Sequence, residues 1–207
     1  MKLNIDTNIS RIISKIKVMI KLKLGYFNLV SRPEHYQYLH DEFDPYIINN
    51  WLLDDIDFLA KRVQGNICEV GCGNGKFILS ASKYFKTITG IDWAKSSGIE
   101  KLPKNCKFIK HDLSKGMPKG SFDMICSADF LEHLRKKDVL NLIGEMCNSS
   151  PLNYHKIACY DDGGSHLTIL SPEEWLDIFK KFSPDFKIRD ITDRRNNNQE
   201  VVIISNF

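Results

Sequence analysis

The sequence ICEVGCGNGK, residues 67–76, places three glycines within five positions, directly after a short apolar run. An apolar run of this length beside turn-forming residues is typical of a buried strand. Glycines allow a tight turn and let a ligand approach the backbone closely. Glu69 stands two residues before Gly71, the first of the three. The stretch therefore predicts a strand, a ligand-binding loop and a helix start, with an acid beside the ligand.

The glycine spacing excludes two phosphate-binding motifs. The dinucleotide fingerprint GxGxxG and the phosphate loop GxxxxGK[ST] both require a glycine at the position that Lys76 occupies. A carboxylate at the end of the strand would also repel a pyrophosphate, whereas it favours a ligand with a positively charged amino group. The loop is therefore expected to bind a ligand other than a nucleoside diphosphate.

Strands and helices alternate downstream of residue 66, which predicts an α/β fold with a mostly parallel sheet and ligands at the carboxyl ends of its strands. The last strand is expected to run antiparallel and to complete seven. The predicted strands cover about 66–70, 87–91, 106–110, 122–127, 155–160, 186–192 and 200–205, and the predicted helices about 75–85, 135–147 and 172–182.

The first 50 residues are predicted to form a separate helical cap on a domain that spans 51–207. Apolar residues at helical spacing indicate an amphipathic helix over 5–24, and residues 1–30 carry six Lys or Arg and one acid. Residues 26–51 are rich in aromatic side chains, and Asp44-Pro45 resembles a helix start, with the helix running to about Val63. The basic helix is expected to act as a lid over the acceptor site, with the aromatic residues of 26–51 lining the pocket, and contact of the helix with an anionic membrane surface is the alternative.

Composition is that of an ordinary water-soluble protein, with 43% hydrophobic and 27% charged residues and a net charge of +3. The six cysteines form no CxxC pair, which indicates reduced thiols. No run of eighteen uncharged apolar residues and no signal peptide is present. These features predict a cytoplasmic enzyme that touches the inner face of the membrane, if at all, through residues 1–24.

Residues 67–76 resemble motif I, ExGxGxG, of the class I S-adenosylmethionine (SAM) methyltransferases. Further segments resemble the later motifs of that family in the same order: 88–92 a strand ending in an acid, 108–113 the third motif, 121–127 the fourth strand and 129–134 the segment after it. The resemblance covers residues 50–207. It implies a Rossmann-like methyltransferase sheet, SAM as donor and S-adenosylhomocysteine (SAH) as product.

The resemblance also implies which residues bind SAM. Gly71, Cys72 and Gly73 would pass close to its methionyl part, and Glu69 would orient that loop. Asp92 would accept from two ribose hydroxyls. The remaining implied contacts are Trp93 on the adenine face, Asp112 on the adenine amino group, the Leu113 amide on a ring nitrogen, and Ser127 at the end of the fourth strand.

Two histidines are the predicted catalytic residues. His133 stands where many small-molecule O-methyltransferases of this class have a histidine at the mouth of the pocket, and His166 follows the fifth strand on the same side. A hydroxyl acceptor needs a base, and an imidazole is suited to that role.

A metal site is the alternative. The Asp129-x-x-Glu132-His133 segment resembles the metal motif of the ubiquinone-pathway and small-RNA 2′-O-methyltransferases, with His166 or water to complete the shell. The expectation is nevertheless an enzyme without a metal.

The expected acceptor is a hydroxyl, or a phosphate-type oxygen, of a small molecule or of a capsule or lipopolysaccharide precursor. Absence of an Asn/Asp-Pro-Pro-Tyr motif after the fourth strand disfavours methylation of base or glutamine amino groups. The alternatives are a quinone or other lipid-phase acceptor, RNA 2′-hydroxyls, and a SAM-binding subunit without activity. Residues 31–207 carry a net charge of about −2, which disfavours RNA, and DNA is not expected as a partner.

Overall fold

A computed structural model describes residues 33–42, 47–48, 50–194 and 199–207. Within them, seven strands form one sheet in the order β3-β2-β1-β4-β5-β7-β6. Neighbouring strands are parallel except for β7, which runs antiparallel to β5 and β6. The strands are β1 (Asn66–Val70), β2 (Thr87–Asp92), β3 (Cys106–Lys110), β4 (Met124–Ala128), β5 (Leu152–Ala158), β6 (Lys187–Asp193) and β7 (Glu200–Ser205). The predicted α/β sheet with an antiparallel last strand is confirmed.

The described residues also form five helices of more than one turn, and all except the first of them contribute to the cores on the two faces of the sheet. They are α1 (Pro33–Glu42), α2 (Ile56–Arg62), α3 (Lys76–Ala81), α4 (Lys136–Ser149) and α5 (Pro172–Lys180), with short 3-10 turns at 53–55, 97–99, 113–115 and 131–133. Helix α5 begins at the predicted capping box: the Ser171 hydroxyl accepts from the Glu174 amide at 3.2 Å, and the Glu174 carboxylate accepts from the Ser171 amide at 2.9 Å.

Successive residues of the central strands pack in two different hydrophobic cores, one on each face of the sheet, because side chains alternate across a strand. On β4, Ile125 belongs to the core that contains Trp175 of α5. Its neighbour Met124 belongs to the core that contains Phe77 of α3 and Leu59 of α2. The central strands β1, β4 and β5 are therefore buried on both sides, whereas the edge strand β6 is mostly exposed, and the loops at the ends of the central strands are left to form a site.

Several predicted boundaries were wrong. Strand β4 covers 124–128 rather than 122–127, and β5 covers 152–158 rather than 155–160, because α4 ends at Ser149 and Pro151 leads directly into the strand. The helix predicted to run to Val63 is interrupted in the described part: residues 47–48 are helical, 50–52 are not, and the chain then forms the 3-10 turn at 53–55 and α2.

Most of the predicted cap lies outside the described residues, including the helix expected over 5–24 and Asp44-Pro45. Helix α1 is its largest described part. In the part of the chain that is described, no helix combines the length and the apolar character needed to cross a membrane.

A buried polar pair lies in the core between β4 and β5. The Ser127 hydroxyl and His155 Nδ1 are 2.8 Å apart, and both residues are fully buried. The His155 ring also stacks on Phe179, at 5.2 Å between ring centroids. Burial lowers the pKa of His155 to about 3, so the imidazole is neutral in the folded protein at ordinary pH.

We predict that His155 makes the protein less stable as the pH falls. The unfolded chain takes up a proton at this residue near pH 6.5, whereas the folded chain does so only near pH 3. Acidification from pH 7.5 to 5.5 should therefore cost about 1.4 kcal/mol of unfolding free energy through this residue. Urea unfolding of the wild type and of His155→Asn at both pH values tests this. The variant should lose about 1.4 kcal/mol less than the wild type over that interval, and equal losses would contradict the prediction.

Candidate functional site

A cavity of about 420 Å³ opens at the carboxyl ends of β1, β2 and β4. The strand order reverses there, because β2 and β3 lie on one side of β1, whereas β4 and β5 lie on the other. Open α/β sheets bind ligands at such a point. The lining includes nearly all of the site residues predicted from the sequence: Glu69, Gly71, Cys72, Gly73, Asp92, Trp93, Asp112, Leu113, His133 and His166.

The glycine loop adopts the backbone conformation that its sequence predicts. Gly71, Gly73 and Gly75 all have positive φ angles, of 69°, 50° and 73°. A Cβ on Gly71 would lie 2.4 Å from the Phe130 ring, whereas one on Gly73 would meet its nearest side-chain atom, of His40, at 3.3 Å. Gly71 is therefore required for packing as well as for its φ angle, and Gly73 leaves the loop backbone accessible from the cavity.

Asp92 ties this loop to the end of β2. Its carboxylate accepts from the Gly73 amide and from the Ala94 amide, each at 3.0 Å. Burial raises the pKa of Asp92, against the lowering effect of these amides and of His40. The predicted ribose-binding acid therefore also has a structural role, because it fixes the loop that precedes α3.

Glu69 is a second buried acid beside the cavity. Its side chain is 2% exposed, and Oε1 accepts from the Asn50 amide group at 3.5 Å. Oε2 has no hydrogen-bond partner among the described residues. Burial raises the pKa of Glu69 well above its usual value, so a positively charged group in the cavity would favour the ionised form.

Trp93 and Cys72 form apolar parts of the wall. The Trp93 ring lies 5.2 Å from the Tyr36 ring between centroids, at a tilt of 49°. Burial raises the pKa of the Cys72 thiol well above its usual value, so the side chain remains a neutral thiol.

Asp112 and Leu113 line the cavity, but the Asp112 carboxylate is used locally. It caps the 3-10 turn at 113–115, accepting from the Ser114 amide at 3.1 Å and the Ser114 hydroxyl at 2.6 Å. Lys115 lies 3.4 Å from its other oxygen. A donor contact by Asp112 therefore stays a prediction.

Ser127 differs from the prediction. Its side chain points into the core, where the hydroxyl bonds His155, and it does not belong to the cavity lining. Side chains alternate along β4, so the next residue, Ala128, reaches the cavity instead.

His133 and His166 follow β4 and β5, on the other side of β1 from β2 and Asp92 in the strand order, and their ring centroids are 4.9 Å apart. His133 Nδ1 donates to the Ser165 carbonyl at 2.9 Å, and His166 Nδ1 donates to the Tyr160 carbonyl at 2.5 Å. Because each Nδ1 carries the proton, each neutral ring has its lone pair on Nε2. The two imidazoles are thus oriented by backbone groups from one loop.

Asp162 builds that loop. Its carboxylate accepts from the Gly164 amide at 3.0 Å and from the Ser165 amide at 2.7 Å, and it also bonds the Ser165 hydroxyl. Burial would raise the pKa of Asp162, but the Ser165 hydrogen bond and the charge of His166 lower it to about 2. The loop that presents His166 therefore contains a carboxylate that remains ionised at ordinary pH.

Among the described residues, Glu132, His133 and His166 form a group that could hold a metal ion. One ligand atom from each lies within 4.8 Å of the others. The predicted ligand Asp129 instead pairs with Arg194, whose Nη1 lies 2.6 Å from both carboxylate oxygens. Burial, and then the charge of Asp129, raises the pKa of Glu132 to about 8. Among the predicted ligands, the structure thus replaces Asp129 with His166.

The sequence reasoning missed several residues of the wall, which come from outside the strand–loop motifs. They are His40 of α1, Asn50, Tyr160, Arg194 and Gln199, whereas Tyr36 and Trp51 belong to the aromatic segment 26–51 that was expected to line the pocket. The Arg194 guanidinium lies 3.9 Å over the Trp51 ring. The aromatic residues before position 52 were the only sequence signal for this part of the wall.

Comparisons with known proteins agree with this geometry. Residues 38–152, more than half of the chain, match the family model described as a methyltransferase domain. The probable SAM-dependent methyltransferase CRG1 of Saccharomyces cerevisiae is 28% identical over 118 residues. That match spans 52% of this chain and only 38% of the yeast protein.

Solved structures share the fold at low sequence identity. The DhpI–SAH complex superposes with a TM-score of 0.62 at 14% identity, over 84% of this chain and 94% of that chain. The 1,6-didemethyltoxoflavin-N1-methyltransferase of Burkholderia thailandensis, solved with its substrate and SAH, gives 0.66 at 12% identity, over 86% and 87%. The chain therefore belongs to the methyltransferase domain family, and its fold is that of the class I SAM-dependent methyltransferases.

Proposed function

We propose that the protein transfers a methyl group from SAM to a hydroxyl oxygen of a small molecule or glycan precursor. The observation that carries the proposal is the arrangement of one cavity. A bare glycine loop and two buried acids lie at one end, and two backbone-oriented imidazoles lie at the other. Membership of the methyltransferase family supports the donor, and the imidazoles support the acceptor type.

The residues at the first end suit SAM. Glu69 offers a buried carboxylate oxygen without a partner among the described residues, which is suited to the ammonium or sulfonium charge of that donor. Asp92 keeps acceptor capacity for ribose hydroxyls beside its two amide bonds. When bound, SAM supplies an electrophilic methyl group on its sulfonium.

The residues at the second end suit a hydroxyl acceptor. A hydroxyl must lose its proton as the new carbon–oxygen bond forms, and a positioned base typically accelerates such a step by about 10²–10⁴-fold. The rings of His133 and His166 line the cavity and are held by backbone carbonyls through Nδ1, which leaves Nε2 as the basic nitrogen of each, and His166 Nε2 lies 4.0 Å from an Asp162 carboxylate oxygen. We assign His133 as the base and His166 as a second polar contact of the acceptor.

The remaining wall favours an uncharged acceptor. The charge of Arg194 is already matched by Asp129 at 2.6 Å, so a phosphate would compete with a carboxylate for it. Trp51 and Tyr160 provide aromatic surface that suits a sugar or aryl ring. A hydroxyl on such a ring is therefore preferred to a phosphate-type oxygen. Peripheral membrane contact through residues 1–24 stays a prediction.

A metal-assisted reaction is the second candidate. The closeness of Glu132, His133 and His166 supports it, because two imidazoles and a carboxylate suit a divalent ion that would lower the pKa of the acceptor hydroxyl.

The donor assignment predicts that Asp92→Ala weakens SAM binding by about 1–3 kcal/mol, because a buried acceptor with several partners is lost. Isothermal titration of SAM into wild type, Asp92→Ala and Asp177→Ala measures this. Asp177 is an exposed acid on α5 and should behave as wild type. Binding of NAD but not SAM by the wild type would reject the donor.

The state of Glu69 predicts proton release on SAM binding. Its raised pKa means that the carboxyl carries a proton at lower pH, and a bound cation favours loss of that proton. Wild-type affinity for SAM should therefore rise with pH more steeply than that of Glu69→Gln. Titration calorimetry in two buffers of different ionisation enthalpy counts the released protons. Equal counts in both proteins would exclude Glu69 as their source.

The general-base mechanism and the metal-assisted mechanism are separated by two experiments, the substitution of His133 and the addition of EDTA. His133→Ala should reduce turnover by about a hundredfold or more and leave SAM affinity near normal. SAH release with a panel of sugar and phenolic hydroxyl compounds, followed by mass spectrometry of the product, measures turnover. A free base predicts no effect of EDTA, whereas a metal predicts loss of activity that Mg²⁺ or Mn²⁺ restores. We expect no effect of EDTA, and normal turnover in His133→Ala would remove this residue from the mechanism.

A further inference from the structure

Helix α1 lies over the cavity, although it is outside the strand–helix repeat, and the Tyr36 ring lies 5.2 Å from that of Trp93 and 6.0 Å from that of His133 between centroids. Tyr36 and His40 line the cavity together with Gly73, Asp92 and Trp93. On the helix, Tyr36, Leu39 and His40 are buried, with exposed fractions of 8%, 2% and 5%. The helix is thus packed against the glycine loop and the end of β2, where the proposed function places the donor.

His40 faces the two groups that define the donor end. A Cβ on Gly73 would lie 3.3 Å from His40 Cε1, so the imidazole approaches the loop where its backbone is most accessible. The charge of Asp92 acts on His40, raising its pKa against the larger lowering effect of burial. A polar side chain buried between this loop and this acid is in reach of any ligand that contacts both.

Gln37 holds the helix in this position. Its side-chain amide donates to the Lys95 carbonyl at 2.8 Å, and its side-chain oxygen accepts from the Lys95 amide at 2.8 Å. Lys95 belongs to the loop directly after β2 and Trp93. One side chain therefore makes two hydrogen bonds to the backbone of the donor side, and both are on the exposed surface.

We infer that α1 is a further part of the donor site, in which His40 contacts the donor and Gln37 is a positioning residue that keeps the helix closed over it. The inference rests on the proposed function for the identity of the donor. With α1 in place, Tyr36 and His40 cover Asp92 and Trp93, so donor exchange requires the helix to move away from the loop after β2.

The two residues should have different kinetic effects. The Gln37 bonds join the helix to Lys95 and do not involve the ligand, so removing them should make opening easier in both states. Association and dissociation then accelerate together, and the dissociation constant stays nearly constant while the closed form predominates. Removing a donor contact instead accelerates dissociation alone.

Stopped-flow tryptophan fluorescence with SAH as the probe tests this. Gln37→Ala should increase both rate constants by roughly tenfold, as expected for two exposed hydrogen bonds, with Kd changed less than about threefold. His40→Ala should weaken SAH binding by roughly tenfold, almost entirely through dissociation. Gln64→Ala is the matched control, because Gln64 is an exposed glutamine before β1, at the other end of the sheet, and should leave both rates unchanged.

Unchanged rates in Gln37→Ala, or unchanged SAH affinity in His40→Ala, would overturn the corresponding part of the inference. His40→Gln, which keeps a hydrogen-bonding side chain, should recover part of the affinity. If His40→Gln recovers no affinity and lowers the melting temperature as much as His40→Ala does, the role of His40 is purely structural. Failure of the wild type to bind SAH and SAM would instead reject the proposed function. Hydrogen exchange of residues 33–42 should slow on SAH binding, and unaltered exchange would contradict a helix that closes over the donor.

Discussion

The site depends on how the chain leaves β1. The Gly71 amide donates to the Ile91 carbonyl at 2.8 Å, and the Gly73 amide donates to the Asp92 carboxylate at 3.0 Å. These bonds tie the first turn after β1 to the end of β2, which leaves the loop amides close to a buried acid. The left-handed glycines are the sequence requirement for this path. Without this backbone path, α3 would begin at a different place, and the glycine loop would not line the cavity.

Much of the sheet and of the donor end could be predicted because those features are local in sequence. The ICEVGCGNGK stretch contains the strand, the turn and the acid within ten residues. Each of the next three strands also ends in or is followed by an acid: Asp92 at β2, Asp112 after β3 and Asp129 after β4. Parallel strands bring their carboxyl ends to one edge, so a correct strand order is enough to collect these residues around one cavity.

The contacts that could not be predicted are those of side chains that have two possible sets of partners, one in the cavity and one elsewhere. Asp112 caps its own turn, and Ser127 faces the core because a one-residue shift along β4 reverses the side of the sheet. The Asp129–Arg194 pair joins residues that are 65 positions apart, and nothing in the local pattern of either one indicates the other. His40 was missed for a similar reason, since it belongs to no strand-end motif.

Arg194 connects three separate segments at the acceptor end. It comes from the end of β6, pairs with Asp129 after β4, and lies over Trp51 before α2. Two of these segments also contact the donor half: Phe130, next to Asp129, packs on Gly71, and Asn50, next to Trp51, bonds Glu69. Phe130 and Asn50 therefore couple the two halves of the cavity, and a change of acceptor is better sought among residues of the β6–β7 hairpin than beside these two positions. An engineer who wishes to redirect this scaffold should begin at the β6–β7 hairpin and treat Arg194 and Asp129 as one unit.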